Sequence, residues 1–139
     1  MNFKGKIVTK RVAAFNLQEL LVVLVIIGIL ILIALPNIMP LIANARSLEA
    51  KTQLKHAFRM QRNHFFMHSK YSNDFNAIDF IPPKTVQENG NANYSYEIIE
   101  ATNNSFKVKA VAVTDFDGDG VFNVWQIDQE EKLTELVRD

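Results

Sequence analysis

The chain has no cysteine among its 139 residues, which excludes disulfides, thiolate metal sites and a cysteine nucleophile together. Five glycines and four prolines are spread thinly, and none forms a phosphate-cradling loop or a nucleophile elbow. Acid is missing from residues 1–14, which carry Lys4, Lys6, Lys10 and Arg11. The rest holds 11 basic and 15 acidic residues, so the formal net charge of zero conceals a basic start and an acidic remainder. That remainder argues against nucleic acid as a partner of the folded part. No convincing acid/base pair is present, and an enzyme is not expected.

What is present is an apolar run. Sixteen consecutive residues from Leu20 to Leu35 carry no charge, and the stretch continues weakly polar through Pro36 and Pro40 to Ala43. As a helix, residues 20–43 would rise about 36 Å, enough to cross a hydrocarbon core of about 30 Å. Apolar character on every face excludes an ordinary surface helix. The cations before it keep the N-terminus cytoplasmic by the positive-inside rule. Three readings compete. A secretory signal would end at Ala43-Asn44-Ala45, but it would have a 14-residue basic region, an intruding Glu19 and two prolines before the cut. An uncleaved signal anchor leaves Glu19 unexplained, since a carboxylate at a membrane boundary needs a partner.

The third reading accounts for Glu19. The string Ala14-Phe15-Asn16-Leu17-Gln18-Glu19-Leu20-Leu21-Val22 strongly resembles the processing site of type IV pilins and type II secretion pseudopilins. The resemblance implies cleavage between Ala14 and Phe15 by a prepilin peptidase, which also methylates the new N-terminus at Phe15. It implies an assembly role for Glu19, the fifth residue counted from Phe15. Pro36 stands where helices of this family often carry a proline. Ala14 replaces the usual glycine, and Asn16 a frequent threonine. The implied partners are the peptidase/methylase, identical or homologous pilin subunits, and an inner-membrane assembly platform. The implied location is the bacterial inner membrane as a single-pass precursor, then a periplasmic or surface filament.

Beyond the leader (1–14) and the apolar helix (15–43), the spacing predicts a head over 44–139. Residues 44–68 read as an amphipathic continuation of the helix, with Ala50, Leu54, Ala57, Phe58, Gln61 and Phe65 on one face. Phe65, Phe66 and Met67 are read as core, and His64 and His68 as two exposed histidines near a helix end. Their i, i+4 spacing suits a metal, but no third ligand accompanies them. Residues 69–93 carry turn chemistry and are expected as a loop. Tyr94–Glu100, Phe106–Val113 and Phe122–Ile127 are predicted strands, and 129–139 a charged tail. The expected fold is α+β, a long N-terminal helix packed on a small antiparallel sheet.

One loop carries metal-like spacing. Asp115, Asp117 and Asp119 occupy positions 1, 3 and 5 of a calcium-binding loop, Gly120 position 6 and Asn123 position 9. The Val121 carbonyl would serve position 7. Gln126 stands at position 12 in place of an acid, and Asp128 is the nearest substitute. Pseudopilins often carry calcium near this end of the head, so the resemblance implies the same ion. The alternatives are a solvated Asp/Gly turn here, and for the whole chain an uncleaved membrane anchor bearing a calcium-binding domain.

Overall fold

The computed structural model describes Gly5 and residues 14–139, so the basic side chains of the leader lie outside the described residues. The chain divides into two compact units between Pro36 and Asn37. Helix α1 (Leu17–His68) contributes to both, and Pro36 and Pro40 fall inside its bounds. Each proline withholds one N–H from the helical ladder. In the first unit, residues 20–35 are exposed on every face, as their uniform apolarity requires of a segment with nothing of its own to pack on.

The head unit is built on a four-stranded antiparallel sheet in the order β1 (Tyr94–Ala101), β2 (Phe106–Ala112), β3 (Val124–Asp128), β4 (Leu133–Val137). Alternation decides which face is buried. Phe106, Val108, Ala110 and Ala112 of β2 point to the core, while Lys107 and Lys109 point out. These lysines meet Glu100 at 3.0 Å and Glu97 at 3.5 Å across the ladder with β1. The register places Tyr96 opposite Ala110 and Val108 opposite Ile127. Ala50, Leu54, Ala57 and Phe58 of α1 pack on this face with Tyr94, Phe106 and Ile127. Burying each large apolar side chain stabilises by about 1.5–3 kcal/mol. The α+β architecture is therefore the one expected.

Polar groups on α1 tie the irregular segment down. Gln61 is fully buried; its Nε2 donates to the Ser72 carbonyl at 2.6 Å, and its Oε1 accepts from the Ser72 N–H at 3.1 Å. Glu49 accepts from the Asn93 N–H and Nδ2, both at 2.9 Å. Between these anchors Ile78 and Phe80 enter the core, and a 3-10 turn forms at Val86–Glu88. Gly90 passes so close to Lys84 that a Cβ there would collide with the Lys84 carbonyl.

Four expectations need correction. His64 is buried, and its Nδ1–H donates to the Lys70 carbonyl at 2.9 Å, so it anchors the chain leaving α1. Phe66 and Met67 are about 70% exposed, at 71% and 70%, because at 100° per residue they turn away from the face shared by Leu54, Phe58, Gln61 and His64. Phe65 is half-buried and stacks on Tyr71 at 4.8 Å between ring centroids. The tail contains β4, which pairs with β3 after a turn at 129–132.

Candidate assembly segment and acidic loop

In the first unit, Ala14, Phe15 and Asn16 precede the helix in irregular backbone, and the Ala14–Phe15 bond is exposed. Asn16 caps α1: its carbonyl accepts the first helical N–H, from Leu20, at 3.2 Å. Glu19 folds back so that its Oε2 accepts the Asn16 N–H at 3.1 Å. This is half of a capping box, and it holds a carboxylate at the positive end of the helix dipole. Asn16 is a strong cap residue in its own right. The geometry thus keeps Glu19 beside the backbone that follows Phe15. Pro36 lies 17 residues farther along α1, at the end of this unit.

In the head, the loop between β2 and β3 wraps around Asp115. Its Oδ2 accepts from Gly120 N–H and its Oδ1 from Gly118 N–H, each at 2.6 Å. Gly118 and Gly120 both have φ of 87°, a conformation glycine adopts without Cβ strain. Asp119 N–H donates to Asp117 Oδ1 at 3.0 Å, and Val121 N–H to Asp119 Oδ1 at 2.7 Å. One ligand oxygen from each of Asp115, Asp117, Asp119 and Asp139 lies within 4.8 Å of the others. Asp139 has no signal in the loop spacing; the pairing of β4 on β3 brings that end of the chain back to the loop. Its Oδ2 accepts the Phe116 N–H at 2.9 Å, while its Oδ1 is buried without a hydrogen-bond partner among the described residues.

These contacts push neighbouring carboxyls in opposite directions. The Gly120 and Gly118 N–H groups hold the Asp115 carboxyl below the usual aspartate range. Asp117 gains from the Asp119 N–H, but loss of water and the charges of Asp119, Asp139 and Asp115 outweigh it and push its pKa up. Four carboxylate oxygens of the hard type calcium prefers supply part of the six to eight ligands that the ion takes, leaving the rest to backbone carbonyls or water. The residues present fit that ion.

Asn123 and Asp128 do other work. Asn123 is buried; its Oδ1 accepts from the Tyr94 hydroxyl at 2.7 Å, and its Nδ2 donates to Glu135 at 2.8 Å and to the Val137 carbonyl at 3.0 Å. It latches β4 to β1, and these three bonds occupy both ends of its amide. Asp128 Oδ1 accepts from Glu130 and Lys132 N–H groups, at 2.9 and 3.0 Å, and shapes the β3–β4 turn. Val121 sits in the loop, partly exposed.

No family model matches the chain. Over 87 residues, 63% of this chain, it is 40% identical to the type IV major pilin protein PilA of Myxococcus xanthus strain DK1622. The matched stretch covers 37% of that protein's length. This similarity supports the type IV pilin resemblance carried by residues 14–22.

Proposed function

We propose, taking kinship with a type IV major pilin as the premise, that this chain is a structural subunit of a type IV pilus-like or pseudopilus filament. The observation that carries the reading is the start of α1: an exposed Ala14–Phe15 bond, a capped helix, Glu19 in its first turn, and then an apolar surface on all sides. A membrane first covers that surface; in the filament the same surface of neighbouring subunits replaces lipid. Prepilin peptidase removes residues 1–14 and methylates Phe15. The new amine is a cation one helical turn from Glu19. Cutting before Phe15 leaves the Asn16 N–H in place, so Glu19 keeps its cap while its second oxygen, Oε1, is available to a neighbour's amine. An unpaired charge in an apolar bundle is strongly disfavoured, so this pairing sets the axial register. The part played is structural and not enzymatic.

The head's acidic loop is proposed to hold calcium through Asp115, Asp117, Asp119 and Asp139, with the Val121 carbonyl as a further donor. The ion would supply a cross-link between loop and β4 in a head that has no disulfide. Magnesium should substitute poorly, since it wants a tight octahedron and gives up water reluctantly.

Glu19→Ala tests the assembly role. The variant should be processed and its head should melt as the wild type does, but filament yield should fall about tenfold or more, as expected for losing a close charge pair. Wild-type filament yield would remove the role assigned to Glu19.

A further inference from the structure

The charge of the head is segregated along the chain. Residues 44–68 of α1 carry five basic residues against one acidic, Glu49, whose carboxylate is taken by Asn93. Residues 115–139 carry eight acidic against two basic. Within α1 the exposed positions Leu48, Thr52, Lys55, Arg59, Arg62 and Phe66 follow one another at intervals of three and four. They form a single stripe on the side opposite Ala50, Leu54, Ala57 and Gln61. Arg62 lies over the rings of Phe58 and Phe66, 5.6 Å from each centroid, and shares a groove of about 370 Å³ with Glu130 and Glu131. Lys55 and Arg59 have no carboxylate within ion-pair distance among the described residues. Leu48 and Phe66 bracket the cations with exposed apolar surface, 61% and 71% accessible.

We infer that this stripe of α1 docks the acidic loop of a second copy of the chain, in a head-to-tail contact. The complement is present on the same head. The loop at 115–120 is acidic throughout its polar positions and is flanked by Val121 and Phe122, which are exposed. Lys55 and Arg59, on a stripe that also exposes Phe66, thus face carboxylates followed directly by the exposed Val121 and Phe122. Within one copy the loop reaches α1 near Arg46 and not near Arg59. Phe116 of the loop lies under Arg46, whose guanidinium carbon is 4.9 Å from its ring centroid. Arg59 is 13 residues farther along α1, about 20 Å of helical rise. The contact therefore requires a second copy displaced along the helix by roughly that distance. Two different patches joined by a displacement make a heterologous contact, which propagates into an open polymer and does not close into a dimer. A loop holding one calcium ion keeps a net negative charge, so both sites can be occupied together.

This inference rests on the filament reading, and the absence of cysteine supplies a test that separates the two. Full-length Arg59→Cys and Phe122→Cys chains, co-expressed, should form a disulfide-linked pair in filaments under mild oxidation. Disulfide geometry demands Cα atoms within about 7 Å, so the link reports direct apposition. Replacing Phe122→Cys by Ser95→Cys, exposed on β1, should give no link. The Lys55→Glu/Arg59→Glu chain should lose filament yield about tenfold with unchanged head melting, while Arg59→Lys should assemble normally. Filaments that contain the chain but show no Arg59–Phe122 link, or that form equally well with both charges reversed, would overturn the docking and leave the filament reading standing. Filaments that lack the chain altogether would overturn both.

Discussion

Asp115 and Asp117 stand two residues apart in one loop, yet their surroundings set them to opposite tasks. Asp115 is held by Gly120 and Gly118 N–H groups, so its folded pKa lies below the ordinary 3.8. Its contribution to stability is present above the unfolded value and is lost as pH falls through the folded one. Asp117 is pushed above 3.8 despite its bond from Asp119, so ionising it in the folded head works against stability, and mild acid relieves that. Carboxyl-carbon NMR without calcium should show Asp117 titrating at higher pH than Asp115. Calcium should draw Asp117 down, because a bound cation favours the ionised form. Identical midpoints with and without calcium would return the loop to a solvated turn. The 1-3-5 spacing of these aspartates was readable in the chain. Asp139 was not, because its place in the cluster depends on strand pairing more than a dozen residues away.

At the scale of elements, β4 is the part that sequence patterning hides. Glu130, Glu131, Lys132 and Glu135 give 129–139 the look of a solvated tail, and only Leu133, Leu136 and Val137 hint otherwise. Strand character arises there from the Asp128 turn and from the Asn123 latch, both tertiary arrangements. The apolar rhythm of β1, β2 and α1 was legible because each buries one face against the others. Position 66 misled because apolar residues at a helix end look like core until the face is counted. Asn123→Ala should strand the Tyr94 hydroxyl and release β4, costing about 1–3 kcal/mol in thermal or denaturant unfolding. Calcium should still raise the melting temperature of that variant, since the Asn123 amide is taken up by Tyr94, Glu135 and Val137. A ligand at a hundredfold excess over its dissociation constant adds about 2.7 kcal/mol. Asp117→Ala should fold but lose that response. Loss of the calcium response in Asn123→Ala, with Asp117→Ala still responsive, would reassign the ligands.

For the whole molecule, the two units do different physical work. The first is apolar on every side and begins with a capped turn that carries one carboxylate. The second buries its apolar face internally and leaves charge of opposite sign on α1 and on the β2–β3 loop. The proposed subunit, held first in lipid and then in a polymer, would need both. The most direct measurement is mass spectrometry of purified surface filaments from cells that express the chain. The chain should be a filament component, and its N-terminal peptide should begin at Phe15 with one added methyl group. Filaments without the chain, or a chain found only full-length in the membrane while the peptidase is active, would contradict it.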